Sequence, residues 1–235
     1  MTTRRRLTAA RACAVFARER TLATLDPMAN VRVSPRERLL KAAHLFYNEG
    51  INNVGIKRIL ESAETPIMSL YRQFGSKDGL VQEYLERRDR RVREKFLVEV
   101  SERASSGRDK ILAMFDVLGE VFEDDHYRGC AFINASVEMA SHEHPLTQLA
   151  ISHKDAVRAI FAGYAAEAGV PNPAGLAVQL QLLMDGAFVG ADMRKDPSLA
   201  AEARAAAEAL VDRALAESGG RRAKPNRAKP RRVSA

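Results

Sequence analysis

Between residues 34 and 218 the apolar positions of the chain repeat at the spacing of an α-helix, and alternating runs typical of β-strands are lacking. Ser34 precedes a proline suited to the first helical turn and an acidic residue three positions later, so a helix begins there. Leu39, Ala43 and Phe46 give this helix a buried face, and Gly50 closes it. The pattern therefore predicts an all-α protein.

The same periodicity predicts eight more helices, separated by Gly, Pro, Ser and Thr. Their expected ranges are about 56–63, 66–74, 77–104, 108–124, 131–141, 145–168, 173–193 and 197–217. Two short helices joined by a tight turn and braced by longer ones form a helix-turn-helix, whose second helix can enter the major groove of DNA. Thr65 is the expected cap of that second helix, with Pro66 as its first residue.

These about nine helices divide into an N-terminal three-helix domain with the helix-turn-helix, at 34–95, and a larger helical domain at 96–218. The helix at 77–104 is shared between them and could transmit motion from one to the other. We expect 1–33 to be a disordered basic extension; whether 1–27, upstream of Met28, occurs in the native protein stays open. Gly219 and Gly220 are expected to end the last helix, leaving 219–235 as a disordered basic tail.

Charge is distributed unevenly along the chain. The formal net charge is +7, made of +5 over 1–33, +4 over 34–95, −9 over 96–218 and +7 over 219–235. A basic first part joined to an acidic middle is expected when one end meets a polyanion, although an accident of surface charge gives the same pattern. The basic tail could strengthen DNA binding or simply aid solubility.

Several classes of protein are disfavoured. No apolar run approaches the roughly 18 residues of a membrane span, and two cysteines are too few for a disulfide framework. We therefore expect a cytoplasmic protein with no membrane partner. No nucleophile elbow, phosphate loop or H-E-x-x-H motif occurs, so we expect neither an enzyme nor a cofactor.

Two stretches resemble a known family. The residues from Gly50 to Ile59 (GINNVGIKRI) and from Ser69 to Leu80 (SLYRQFGSKDGL) closely resemble the N-terminal domain of TetR-type transcriptional regulators, over about 34–90. A weaker likeness to the ligand domain of one branch of that family covers 127–134, followed by His144-Pro145 and His153-Lys154.

The resemblance implies a protein that binds a double-stranded DNA operator. It implies phosphate contacts by Tyr71 and Lys77, which hold register without reading sequence. Ser69, Arg72 and Met68 lie where the recognition helix can meet base edges, and arginine suits guanine. Near helix N-termini, the further candidates for DNA contact are Lys57, Arg58, Thr65 and Pro66. Each of these side chains could instead be ordinary surface or packing residues.

The resemblance also implies a ligand cavity among the middle helices and a homodimer interface on the last two. Candidate cavity residues are Met114, Phe115, Leu118, Phe122, Phe132, Asn134, Glu138 and Phe188, for a small-molecule effector of unknown identity. The candidate dimer stripes are Leu176, Leu180, Leu183, Met184 and Ala187, with Ala203, Ala207, Leu210 and Ala214. A monomer core is the alternative for these stripes, and plain core is the alternative for the cavity residues.

Two isolated features receive the simpler interpretation. Cys130 could sense oxidants or electrophiles, but a buried inert thiol is favoured. His142 and His144 lie near Asp124, Asp125 and His126, yet nothing fixes a metal geometry, so no metal site is expected.

The chain departs from the family at three places near DNA. Gly55 stands where Ser or Thr is usual, Glu64 replaces the turn glycine, and Ile67 and Met68 replace a lysine and a small residue. The leading hypothesis is nevertheless a repressor that an effector releases from its operator. The alternative is a TetR-like protein that coats DNA or serves as an adaptor, without any small effector.

Overall fold

A computed structural model describes residues 33–222, so nearly all of the expected basic extension and most of the expected basic tail lie outside the described residues. Within this range ten helical segments and no strand occur, which confirms the predicted all-α fold. They are α1 (Pro35–Ala42), α2 (His44–Glu49), α3 (Ile56–Ala63), α4 (Ile67–Phe74), α5 (Lys77–Arg103), α6 (Gly107–Phe122), α7 (Ala131–Met139), α8 (Pro145–Glu167), α9 (Pro173–Arg194) and α10 (Leu199–Arg222).

The first predicted helix is present, but it divides into α1 and α2 at Ala43. Ala43 keeps right-handed helical backbone angles, so the two segments follow each other with only a local break. The Ser34 hydroxyl accepts a hydrogen bond from the Glu37 amide at 3.2 Å, as the capping pattern predicts. Gly50 ends α2 with a φ of 95°, a conformation that glycine adopts without steric cost.

Two local predictions are wrong. Thr65 does not cap α4, because its hydroxyl donates to the Ala63 carbonyl and its side chain is buried; Pro66 occupies the cap position instead. The last helix does not end at Gly219 and Gly220 but continues to Arg222. Two glycines lower helix propensity by only about 1 kcal/mol each, which is too little to stop a helix of 24 residues by itself.

The buried side chains form two clusters. One joins α1–α4 and the start of α5 to residues from α7 and α8, among them Phe132, Ala135 and Leu146. The other fills the space between α6, α8, α9 and α10, with contributions from the end of α5. The small helical domain therefore shares its core with α7, which belongs by sequence to the larger domain.

Helix α9 is apolar on more than one side. Its buried residues Leu176, Leu180, Met184 and Ala187 pack into the core of the monomer, as do Ala203 and Ala207 of α10. The residues assigned from the sequence to a dimer stripe are thus largely monomer core, and the alternative interpretation of them is correct.

By length and composition alone, α9 could cross a membrane, but one such helix is weak evidence for a span; 33% of its apolar window is buried in this chain. Its exposed large side chains are Val178, Leu182, Val189 and Met193, which recur along the helix at spacings of four, seven and four residues. These four residues, called here the α9 outer face, form an apolar surface beside the core-facing side.

Candidate nucleic-acid interface and effector cavity

The outward side of α4 carries the side chains that can meet DNA. Leu70 is 1% exposed and packs inward, whereas Met68, Tyr71 and Arg72 are exposed, with Met68 at 71%. Ile67 beside them is 47% exposed. Ile67, Met68 and Tyr71 expose apolar surface close together on one short helix, and exposed apolar patches mark interaction sites, so this face of α4 is a candidate contact surface.

Not every predicted contact residue is on that surface. Ser69 and Thr65 are buried, at 8% and 6% exposure, and their side chains cannot reach a groove without rearrangement. Pro66 is exposed at the start of α4. Of the residues predicted to read bases, Met68 and Arg72 are exposed in this conformation, and Tyr71 beside them is 44% exposed.

Lys77 has an internal partner. Its ammonium group donates to the Ile51 carbonyl at 2.6 Å and lies 5.9 Å from the centre of the Phe46 ring. The side chain is half-buried at the start of α5. Lys77 therefore joins the loop after α2 to the start of α5. A contact between Lys77 and a DNA phosphate would have to form alongside this internal hydrogen bond or replace it.

Lys57 and Arg58 lie in the first turn of α3 with weak partners. Lys57 is 3.9 Å from Glu61 and its side chain is 90% exposed, so its charge is available. Arg58 pairs with Glu49 at 3.2 Å, again on the surface. Surface pairs of this kind contribute roughly 0–1 kcal/mol, which a DNA phosphate can replace.

The turn between α3 and α4 contains a strained residue. Glu64 adopts left-handed backbone angles, with φ of 48° and ψ of 47°, at the position where the resemblance to TetR-type regulators predicts glycine. Its side chain is exposed. The turn is thus formed in spite of the substitution, at a cost of about 1–2 kcal/mol for a residue with a Cβ.

An ion-pair network fixes α1 on α5. The Arg87 guanidinium donates to both carboxylate oxygens of Glu37, at 3.1 and 3.2 Å, and to Glu83 at 3.1 Å. Arg36 adds a 2.8 Å pair with Glu83 and stacks over the Phe74 ring at 5.4 Å. These partly exposed pairs link α1 and the end of α4 to α5, beside the buried cluster that the same helices share.

A cavity of about 90 Å³ lies between the two domains. Its walls come from α2, α5, α6, α7, α8 and α9 and are mostly apolar and aromatic; they include Val92, Phe96, Val117, Val121, Phe132 and Phe188. Tyr47 of the small helical domain is part of the lining, so a molecule in the cavity would touch that domain directly.

Three of the eight residues predicted for the cavity line it: Leu118, Phe132 and Phe188. Met114 and Phe115 are 1% exposed and belong to the interior core, and Phe122 packs against Phe188 and Tyr127. All three belong to the buried cluster between α6, α8, α9 and α10, where the Phe115 ring lies 6.0 Å from Phe161 of α8 and the Phe122 ring lies 5.6 Å from Phe188 of α9.

The two polar residues of that prediction contact the backbone. The Asn134 amide donates to the Arg128 carbonyl at 2.9 Å. Glu138 accepts from the Asn52 backbone amide at 2.8 Å, and its own carbonyl accepts from the Asn52 side chain at 2.9 Å. Asn134 thus fixes the loop before α7 to the start of that helix. Glu138 fixes the end of α7 to the loop after α2.

The loop before α7 locks onto α2. The Tyr47 hydroxyl donates to the Gly129 carbonyl at 3.0 Å and accepts from the Arg128 amide at 2.8 Å. Burial raises the pKa of Tyr47 to about 12, so the hydroxyl keeps its proton. The Arg128 guanidinium donates to the Tyr47 and Asn48 carbonyls, where a cation also complements the negative end of the α2 dipole.

His153 of α8 is a cavity residue that sequence reasoning did not assign. Its ring stacks on Phe132 with centroids 3.7 Å apart and planes 10° apart, and its Nδ1 is 2.6 Å from Asp89 of α5. The pKa of His153 is lowered, chiefly because burial disfavours the charged ring. The nearby cations Arg93 and Lys154 act in the same direction, while Asp89 opposes them.

No cluster of three potential metal ligands occurs in the described part of the chain. His144 caps α8, its Nδ1 accepting from the Leu146 amide at 3.3 Å, and its Nε2 lies 3.5 Å from Asp78. Cys130 is a free, buried thiol at the cap position of α7 and lines the cavity.

Comparison with known proteins agrees with this architecture. The family described as "Bacterial regulatory proteins, tetR family" matches residues 39–84. The HTH-type transcriptional regulator YjdC of Escherichia coli K12 is 26% identical over 149 residues, which are 62% of this chain and 76% of that protein.

Two crystal structures from streptomycetes share the fold. SCO4454, a TetR-family transcriptional regulator from Streptomyces coelicolor, is 29% identical with a TM-score of 0.69, over 78% of this chain and 89% of that one. The sav143 protein of Streptomyces avermitilis is also 29% identical with a TM-score of 0.69, over 77% and 98% of the two chains.

Proposed function

We propose that this chain is a TetR-type transcriptional regulator, as its similarities support. It acts in the cytoplasm as a homodimeric repressor that a small molecule releases from its operator. The observation that supports DNA reading by α4 is the division of its side chains: Leu70 anchors the helix, while Met68, Tyr71 and Arg72 are presented together to solvent. The exposed Arg72 carries a guanidinium group, which suits bidentate contact with a guanine, and Lys57, 90% exposed and 3.9 Å from Glu61, supplies a cation for phosphate.

The α9 outer face supports the homodimer. Val178, Leu182, Val189 and Met193 expose between 43% and 79% of their surface in the single chain. Helix α10, which packs on α9, is rich in exposed alanine at positions such as Ala205. A second copy would cover this apolar strip with its own identical strip, and small residues let paired helices approach closely.

The contacts around Tyr47 support release by a ligand. Tyr47 lines the cavity on one side and holds the loop before α7 on the other. An occupant that prefers a different position of α5 or α7 would change the separation of the two α4 helices. Operators of this kind require a separation of about one helical turn, or about 34 Å, so such an occupant shifts the population off DNA.

Fluorescence anisotropy with the DNA upstream of the gene tests the proposal. We expect Tyr71→Phe, which removes one phosphate contact, and Arg72→Ala, which removes one base contact, each to weaken specific binding by about tenfold. Lys41→Ala is a control, because Lys41 lies outside the α3–α4 surface. Equal affinity for the upstream DNA and for scrambled DNA would reject specific regulation and favour the DNA-coating alternative.

A further inference from the structure

The size of the cavity limits what it can hold. An engineered protein cavity of about 150 Å³ accepts benzene, which has six non-hydrogen atoms, so about 90 Å³ corresponds in proportion to a body of roughly three to five such atoms. Phe96, Phe132, Phe188 and Leu118 make the wall predominantly apolar. The occupant therefore has a small apolar body.

The charged groups of the wall already have partners. The Lys95 ammonium lies 3.2 Å from the Glu99 carboxylate. The Arg88 guanidinium lies over the Tyr47 ring at 4.3 Å and donates to the Tyr84 hydroxyl at 3.2 Å. An ionic guest would have to break these contacts and lose its own hydration, which favours a neutral guest.

His153 offers the wall a hydrogen-bond acceptor. Asp89 is a carboxylate that Arg93 also contacts, so it can only accept, and the proton between Asp89 and His153 belongs to Nδ1. Burial lowers the pKa of His153 and keeps the ring neutral. The second ring nitrogen, Nε2, then carries a lone pair, and stacking on Phe132 fixes the plane in which it points.

We propose that the cavity binds a small neutral molecule with an apolar body and one hydroxyl group, and that this hydroxyl donates to Nε2 of His153. The inference rests on the proposed function, in which this cavity is the effector site. It adds the chemical class of the effector and the residue that selects it. Asp89 acts as a positioning residue, because it sets the ring tautomer without touching the guest.

Two isomers distinguish the contribution of the hydroxyl group to binding from that of the apolar body. 1-Butanol and methyl propyl ether have the same formula and nearly the same volume, but only the alcohol donates a hydrogen bond. Titration of each into the full-length protein, followed by methyl-group NMR, gives both affinities. We expect 1-butanol to bind about five- to tenfold more tightly, as one buried hydrogen bond predicts. Butyrate and butylammonium, which test the ionic classes, should bind more weakly than 1-butanol.

Two variants assign the preference to His153. Asp89→Asn lets an amide either donate to or accept from Nδ1, so the tautomer is no longer fixed and the preference for the alcohol should fall to about threefold or less. His153→Phe keeps the stack on Phe132 and should abolish the preference. Circular dichroism and DNA affinity without ligand show whether each variant is folded.

An ether that binds as well as the alcohol, an ionic analogue that binds more tightly, or no binding by any of the four compounds would overturn the assignment. So would a preference that survives both variants. DNA affinity is measured separately and without ligand, so failure of the assignment is distinguishable from failure of the DNA-binding role.

Discussion

Glu64 offers a direct test of how the turn between α3 and α4 is formed. The residue has a φ of 48°, and a left-handed backbone costs about 1–2 kcal/mol when a Cβ is present. Replacing it by glycine removes this cost, while the greater freedom of glycine in the unfolded chain returns about 0.4–1 kcal/mol. Glu64→Gly should therefore stabilise the protein by about 0.5–1 kcal/mol, or by about 2 °C in Tm.

A matched variant, Glu64→Gln, distinguishes the effect of the Glu64 charge from the effect of its backbone strain. Glu64→Gln removes the negative charge but keeps the Cβ, so its stability should stay close to that of the parent. A unit charge about 7 Å from a phosphate in water is worth about 0.6 kcal/mol. Both variants should therefore bind DNA about threefold more tightly at low salt, and the gain should shrink as salt is added.

Urea unfolding at one fixed protein concentration gives the stabilities, because unfolding of a dimer depends on concentration. Fluorescence anisotropy at two salt concentrations gives the DNA affinities. If Glu64→Gly is no more stable than Glu64→Gln, the strain assigned to this turn is wrong. If neither variant binds DNA more tightly, Glu64 does not lie near the phosphates.

Three other perturbations have definite outcomes. Leu182→Arg places a charge on the α9 outer face without disturbing the core, since Leu182 is 68% exposed. Light scattering should show that this variant is a folded monomer, whereas Leu182→Ala should remain a dimer. The pKa of His153 is lower in the folded protein than in the unfolded chain, so the contribution of this group to the free energy of unfolding is fully present above about pH 6.5. That contribution falls as the pH drops towards the folded pKa, by at most about 1.4 kcal/mol per pH unit. Urea unfolding of His153→Phe at several pH values should show a shallower loss. Arg128→Met removes the cation from the end of α2 and should lower stability by about 1–2 kcal/mol in urea unfolding; a change within error would show that the Arg128 side-chain contacts contribute nothing.

Helix limits were predictable where a local signal sets them. Ser34, Gly50 and Pro145 mark their helix ends through side chains or backbone angles that act within one turn. Thr65 misled because a hydroxyl beside a proline can bond backward as easily as forward, here to Ala63.

The cavity could not be predicted to the same degree. Its lining comes from six helices, and which residues meet there depends on packing that no local signal records. The highly charged α5 gave one signal of a buried apolar side, namely Val92 and Phe96, which lie four positions apart. The stripes of α9 misled for a related reason: a helix that is apolar all round does not reveal which side faces its own core.

The central claim, that α4 reads DNA sequence, is tested most directly by selecting preferred sites from random duplexes with the parent protein, Arg72→Ala and Lys57→Ala. We predict a two-fold symmetric site for the parent, loss of preference at one base position of each half-site for Arg72→Ala, and uniformly weaker binding with the same site for Lys57→Ala. Selection of no preferred sequence by the parent, or an unchanged site with Arg72→Ala, would contradict the account.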